Sequence, residues 1–410
     1  MKIVVTGNIG CGKTTIVKKI VDRLYGYVSY SYDDMVSSAY EIPAIIQRLL
    51  TNFGTANKAE LSAMAFTSND ATILTKLHQI IGSTVDRSLN MYLTDSDKRY
   101  PKVIVEYPLF FELGHHVMPN IFTISVECDA SEQISRVRNR DQVDEQIVLN
   151  KMNRQLDPAV KSALADFVIN TSHDVDAQLD KLIDLIMVRD LKDKFFTYRT
   201  AAWLPIWETI QTHYSEPTRY YHTMSHLAHM IYELEKISSK LDGRMVKLIE
   251  DAIWYHDLVM NFEGNPGIDN EGDSIKLMKK LYMEHVPNSY IHSVYGYSLI
   301  AVVALMIYTT KQHKITSPIL LNQPDLLLAT QIFLDLDLAI FSESSVRLNA
   351  YDEQIRREYK IFSDDAFAEG RAKVLRSFLD RPKIYLSKHL EHKEAAAREN
   401  LNKLLKWTYF

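Results

Sequence analysis

Two groups of residues in this chain have types and spacings that can do chemistry. The first is Gly7-Asn8-Ile9-Gly10-Cys11-Gly12-Lys13-Thr14, followed by Thr15. It fits Gly-x-x-x-x-Gly-Lys-Ser/Thr, a loop whose backbone N–H groups curl around phosphate oxygens at a helix N-terminus. Lys13 is placed to neutralise β and γ phosphates and the Thr14 hydroxyl to ligate Mg²⁺, so ATP and Mg²⁺ are the expected cofactors. The second group is spread over three apolar stretches: His222 and His226 in "RYYHTMSHLAHM", His256 and Asp257 in "AIWYHDLVM", and Asp335 and Asp337 in "QIFLDLDLAIF". Four-residue spacing puts His222 and His226 on one face of a helix. A single such histidine is more often a satisfied core residue than a ligand. A carboxylate in an apolar helix is costly unless paired or coordinated, and three such stretches together point to a divalent metal. Imidazole and carboxylate donors suit Mn, Fe, Co, Ni, Zn or Mg.

Around the phosphate-binding loop, Asp33 and Asp34 end the run "YGYVSYSYDDM". A carboxylate there can orient or deprotonate an acceptor hydroxyl, and Asp34 is expected to cap the following helix. In "ISRVRNRD", Arg136 and Arg140 share a helical face that can close over a transferring phosphoryl group or simply meet solvent.

These residues need elements to hold them. "KIVVTG", "KVIVEYP" and "IFTISVEC" are β-branched runs, each followed by helical spacing, which predicts a parallel sheet with helices on both faces. Beyond about residue 188 such runs stop, and helix follows helix, with breaks at "EPTR", "EGNPGIDNEGD", "HVPNS" and "TSPILLNQPD". The expected domains are therefore 1–188 and 195–410, with no Gly/Ser-rich linker between them. The chain has 410 residues, 46% hydrophobic, with a net charge of −5, which speaks against a dominant nucleic-acid surface. Two cysteines, Cys11 and Cys128, exclude a disulfide framework and suggest a reducing, cytoplasmic setting. Residues 1–20 show no secretory pattern. The run Tyr297–Tyr308 is too short to span a bilayer, so no membrane partner is expected.

The first half resembles the dephospho-CoA kinase family. The likeness runs through the phosphate loop, "SYDDM", "FGTANKAELSAMAF", "VEYPLFFELG", "QISRVRNRD" and "KMNRQLDPAVKSALADFVINTS". It implies an α/β P-loop kinase that passes a phosphoryl group from ATP to a ribose 3′-hydroxyl. Asp33 would be the base, with Arg136 and Arg140 near the phosphates. The chain departs from the family at Gly82-Ser83, at Ser37 and in "ANKAEL", close to where an acceptor would bind. Acceptor identity therefore stays open.

The second half resembles the HD superfamily of metal-dependent phosphohydrolases, through "RYYHTMSHLAHM", "AIWYHDLVMN", "DNEGDS", "IYTTKQH", "FLDLDLAIF" and "YDEQIRREY". The resemblance implies an all-α HD-type domain. Its metal set would be His226, His256, Asp257 and one of Asp335 or Asp337, with His222 facing the substrate phosphate. Glu271, Thr310, His313, Arg356 and Tyr359 would line the pocket. The combined expectation is a bifunctional kinase and phosphohydrolase acting on small nucleotide substrates. Two alternatives stand beside it. One is a nucleic-acid end-healing enzyme with 5′-hydroxyl kinase and 2′,3′-phosphatase activities. The other is a kinase carrying a non-catalytic HD nucleotide sensor. Oligomeric state is left open.

Overall fold

The β-branched runs, with a short strand before Asp33 and another near residue 167, form one parallel sheet. A computed structural model describes residues 1–67, 71–94, 102–114, 118–264, 267–286, 293–294 and 296–407. In its first part the elements run β1 Lys2–Gly7, α1 Lys13–Arg23, β2 Val28–Ser31, α2 Tyr32–Ala39, α3 Pro43–Phe53, α4 Lys58–Thr67 and α5 Ala71–Leu93. There follow β3 Val103–Glu106, β4 Ile121–Glu127, α6 Ala130–Asp141, α7 Glu145–Met152, α8 Pro158–Leu164, β5 Phe167–Asn170 and α9 Val175–Phe195. Strand order is β2-β3-β1-β4-β5, and every pairing is parallel. β1 is central and buried along its whole length, as a strand covered on both faces must be. Reading the carboxyl ends of the strands gives the phosphate loop after β1, Asp33 after β2, Glu106 on β3, Cys128 after β4 and Thr171 after β5. That edge is where open parallel sheets bind ligands.

The chain divides into two compact units, Met1–Leu185 and Ile186–Phe410. The division falls inside α9, not in the expected gap after residue 188. Val175 to Phe195 contains no glycine or proline to break a helix, so helical structure continues through the change in composition.

The second unit is helical: α10 Leu204–Tyr214, α11 Met224–Ser238, α12 Gly243–Tyr255, α13 Asn270–His285, α14 Leu299–Thr310, α15 Pro318–Asn322, α16 Pro324–Asp337, α17 Ser345–Glu358, α18 Asp364–Leu379 and α19 Glu394–Trp407. One two-stranded hairpin departs from the all-helical expectation. It pairs β6 Ser293–Val294 with β7 Tyr297–Ser298, so the apolar run from Tyr297 becomes helical only at Leu299. The expected breaks at 263–273 and 285–289 fall partly outside the described residues. The core forms around α12, which packs on α11, α14 and α16. Asp242 caps α12 by accepting from the Arg244 N–H, and Leu248, Ile249, Ala252 and Ile253 are fully buried along it. Each of the larger three contributes about 1.5–3 kcal/mol by leaving water. Among the described residues no helix is long and apolar enough to cross a membrane.

Candidate functional sites, one in each unit

The phosphate-binding loop in the first unit is built by glycines that no other residue can replace. Gly7 has φ +140°, and a Cβ there would sit 2.1 Å from the Val126 carbonyl oxygen. Gly10 has φ +80°, and a Cβ would meet Val137 at 2.6 Å. The loop is held from outside by Gln155, whose Oε1 accepts from the Ile9 N–H at 2.8 Å, and by Gln133, whose amide donates to the Ile9 carbonyl at 2.7 Å. Lys13 opens α1, is buried, and donates to the Asn8 carbonyl at 3.0 Å. Burial lowers its pKa, while the Glu106 carboxylate works to keep it charged.

Glu106 was not among the residues singled out from sequence. Its Oε1 accepts from the Thr14 hydroxyl at 2.9 Å, and burial raises its pKa against that hydrogen bond and Lys13. The available signal was its place at the carboxyl end of the strand next to β1. Asp33 is exposed in the first turn of α2, and its charge acts on Lys13, Glu106 and Arg140. These groups therefore share one electrostatic site. Asp34 is not the cap of α2: Ser31 is, accepting from the Asp34 N–H at 3.2 Å. Both aspartates instead lie in the first turn, where the helix dipole favours them. Arg136 is committed to Glu132 and to the Thr171 hydroxyl at 2.8 Å, and Thr171 in turn donates to the Cys11 carbonyl. Arg140 is exposed and, among the described residues, hydrogen-bonds only its neighbour Asp141, at 2.7 Å, so it is the freer of the two arginines.

In the second unit the expected histidines and aspartates do converge, but from unexpected local structures. His222 and His226 do not share a helix. Thr223 caps α11 by accepting from the Ser225 N–H, so the helix starts at Met224 and His222 lies before it. His256 is the C-cap of α12 and Asp257 lies beyond the helix. The chain leaves the helix there because the buried guanidinium of Arg219 takes the Asp257 carbonyl at 2.6 Å and the Leu258 carbonyl at 2.9 Å. Arg219 also reaches the His222 carbonyl at 3.3 Å, tying both ligand-bearing segments together.

At the centre, His226 Nε2 lies 3.1 Å from His256 Nε2 and 3.2 Å from Asp337 Oδ1. His256 Nε2 lies 3.0 Å from Asp257 Oδ2, and His226 Nε2 is 3.8 Å from the same oxygen. Donors at about 2.0–2.2 Å on one tetrahedral cation stand roughly 3.3–3.6 Å apart. The pairs at 3.0, 3.1 and 3.2 Å fall just inside that spacing, and His226 Nε2 to Asp257 Oδ2 at 3.8 Å and His256 Nε2 to Asp337 Oδ1 at 3.7 Å fall just outside it. His226, His256 and Asp257 lie close enough together to hold one ion. His256 Nδ1 faces the Ile253 carbonyl at 2.9 Å, which fixes the tautomer with Nε2 free to ligate. Burial opposes charge on His256, but Asp257 and Asp337 hold its pKa well above normal; burial lowers that of His226. Both carboxylates stay ionised, held below their usual range by these histidines against burial.

Asp335 is excluded from this group. Two positions apart on a helix of 3.6 residues per turn means about 200° of rotation, so Asp335 and Asp337 face opposite ways. Asp335 instead accepts from the backbone N–H groups of Leu386 and Ser387 at 2.6 and 2.7 Å. His222 sits at the rim, with Nε2 3.9 Å from Asp257 Oδ2 and Nδ1 2.8 Å from Glu358. Glu358, unnoticed in the sequence, also accepts from the N–H groups of Tyr220, Tyr221 and His222. A cavity of about 610 Å³ opens onto His222 and Asp337, walled by Tyr221, Phe341 and Tyr351. Thr310, His313 and Tyr359 line it too; Glu271 and Arg356 do not. Arg356 binds Asp364 and the Tyr359 and Phe362 carbonyls, a helix-end role. Arg371, also on the wall, is buried; its Nε donates to Asp352 at 3.0 Å, while its Nη2 has no hydrogen-bond partner among the described residues. A second acidic group, His229, Glu233 and Glu343, is already neutralised by Lys236 and Lys393 and reads as an ion-pair network.

The family model described as dephospho-CoA kinase matches residues 1–177. A dephospho-CoA kinase of Rhodopseudomonas palustris is 29% identical over 188 residues, covering 44% of this chain and 92% of the relative. One of Bradyrhizobium diazoefficiens is 30% identical over 174 residues, covering 41% of this chain and 85% of the relative. A solved dephospho-CoA kinase from Campylobacter jejuni aligns with 45% of this chain and 98% of its own, at 21% identity and a TM-score of 0.34. Through residues 1–177, then, the chain belongs to the dephospho-CoA kinase family.

Proposed function

We propose that this chain is a two-activity enzyme: an ATP-dependent dephospho-CoA kinase in the first unit and an HD-type, metal-dependent phosphohydrolase in the second. The kinase reading rests on the family match and on the loop geometry. Lys13 would exchange the Asn8 carbonyl for phosphate oxygens, and Thr14 with Glu106 would hold Mg²⁺. Asp33, exposed beside them, would take the proton of the acceptor hydroxyl. Arg140 would neutralise charge on the transferring group.

The observation that carries the hydrolase reading is the convergence of His226, His256, Asp257 and Asp337, the last of which lines the cavity, with the nearest donor atoms 3.0–3.2 Å apart. These four would hold the divalent cation, which activates water and polarises a phosphoester when bound. His222, whose pKa the Glu358 carboxylate raises, would face the substrate phosphate. The aromatic walls suit a small phosphorylated molecule with a flat ring.

The test is a pair of assays on the full chain. ATP consumption with Mg²⁺ is compared for dephospho-CoA and a 5′-hydroxyl oligonucleotide. Phosphate release from nucleoside monophosphates is followed with Mn²⁺ or Ni²⁺. Turnover of dephospho-CoA together with metal-dependent phosphate release is the expected result. Turnover of the oligonucleotide alone would replace the proposed acceptor, and no release with any metal would remove the hydrolase.

A further inference from the structure

The chain's two cysteines lie 117 positions apart in sequence, yet their sulfurs are 3.4 Å apart in the first unit. Cys11 is the residue between Gly10 and Gly12 in the phosphate-binding loop, and Cys128 directly follows β4. Phosphoryl transfer as proposed above uses neither thiol. We infer that Cys11 and Cys128 are a modification site: a hydroperoxide joins them as a disulfide, and that bond takes the phosphate-binding loop out of use.

Geometry makes the bond short to form. The sulfurs must close from 3.4 Å to about 2.0 Å. Both flanking glycines have positive φ, +80° and +84°, so the loop can turn at either side of Cys11 without moving β1 or α1. Cys128 is partly exposed, which gives a small oxidant a way in, while Cys11 is buried.

The chemistry is ordered by the hydrogen bond between the thiols. Cys128 donates to the Cys11 sulfur, and this bond lowers the Cys11 pKa to about 7 against burial, helped by Lys13; the same bond raises that of Cys128. Cys11 is therefore the nucleophile. Its thiolate attacks one peroxide oxygen, the O–O bond breaks, and the departing hydroxide takes a proton to become water, leaving Cys11 as a sulfenic acid. The Cys128 sulfur, giving up its proton, then attacks the Cys11 sulfur. The S–O bond breaks, the hydroxyl leaves with that proton as a second water, and the S–S bond forms. The two thiols lose two electrons and the peroxide gains them.

The consequence follows from where Cys11 sits. Its carbonyl accepts from Thr171, and its neighbours are the amides that would wrap phosphate. A covalent tie to the end of β4 fixes this segment and prevents it from settling around the nucleotide.

The experiment treats the full chain with hydrogen peroxide under native conditions, blocks remaining thiols, and maps peptides without reduction. ATP consumption is measured before oxidation, after it, and after dithiothreitol. We expect a cross-linked peptide joining Cys11 to Cys128 and a fall in ATP affinity of about tenfold or more, the worth of one charge-assisted hydrogen bond to phosphate. Dithiothreitol restores it. Mg-ATP bound beforehand slows the cross-link. Cys128→Ser keeps the basal activity but loses the reversible response, because its Cys11 sulfenic acid has no resolving thiol and proceeds to sulfinic acid. Absence of the cross-linked peptide in the wild-type chain overturns the proposal, as does a cross-linked protein that turns over ATP normally.

Discussion

Nε2 of His226 and Nε2 of His256 face each other at 3.1 Å, and both rings are buried. The Nδ1 of His256 is already committed to the Ile253 carbonyl, so its Nε2 carries a lone pair when the ring is neutral. Two lone pairs pointed at each other repel. Either a proton or a cation must lie between them, and the flanking carboxylates of Asp257 and Asp337 favour a divalent cation over a proton. The protein stripped by a chelator should therefore take up a single divalent ion in the second unit. At a hundredfold excess over its dissociation constant the ion adds about 2.7 kcal/mol, or roughly 5–10 °C in melting midpoint. Calorimetric titration and melting with Mn²⁺, Ni²⁺ and Zn²⁺ measure this. His226→Ala should abolish the shift. A stripped wild-type chain whose midpoint none of the three metals moves would rule out the cation site.

Asp337 and Asp335 should separate cleanly. Asp337→Asn removes a donor from the cluster and is expected to abolish both metal uptake and phosphate release. Asp335→Asn should leave metal uptake intact and cost about 1–3 kcal/mol, because an amide cannot accept both backbone N–H groups it now serves. Its carboxyl is pushed up to about 7 by burial, in spite of the hydrogen bonds from Ser387 and Leu386. Between an unfolded value of about 4 and that folded value, the native chain holds a proton the unfolded chain has released. Stability from this group is thus fully present below about pH 4 and declines as pH rises toward 7. Melting midpoints across this window should fall less steeply in Asp335→Asn than in the wild type. Loss of metal uptake in that variant would return Asp335 to the ligand set.

What the sequence disclosed and what it hid follow one physical line. Gly7 to Thr14 could be read because a phosphate loop is contiguous: its function is in adjacent backbone amides. The parallel sheet could be read because β-branched runs alternate with helical ones. The metal-like residues could be named, but not their geometry. Four-residue spacing suggested a shared helix for His222 and His226, while Thr223 caps the helix between them. Glu106, Arg219, Glu358 and Arg371 escaped notice because each acts through a tertiary contact. Glu358 meets His222 across 136 positions of sequence, and no local pattern encodes that meeting.

Glu358 is expected to be a positioning residue. Burial by itself would lower the pKa of His222, yet the Glu358 carboxylate raises it above the usual imidazole value. Glu358→Gln keeps an oxygen for the backbone N–H groups and removes the charge. His222 then loses its proton at lower pH. Phosphate release should fall roughly tenfold near neutrality and recover as pH is lowered, which displaces the alkaline limb of the rate profile. A uniform loss at every pH would instead mean that Glu358 only holds the segment 220–222 in place.

The two chemistries should be separable by single substitutions. Lys13→Ala removes the buried ammonium that the loop presents to phosphate, and kinase turnover should drop by about 10²–10⁴-fold. The residues described at that site all belong to the first unit, so metal-dependent phosphate release should persist. Asp257→Ala should do the reverse. It takes away the oxygen 3.0 Å from His256 Nε2, and with it a charge that raises the His256 pKa. Metal uptake and hydrolysis should both fail while ATP turnover with dephospho-CoA stays at the wild-type level. Each variant is measured in both assays, with circular dichroism confirming that it is folded. If either substitution silences both activities in a folded chain, a single site performs both reactions and the division of labour between the units is wrong.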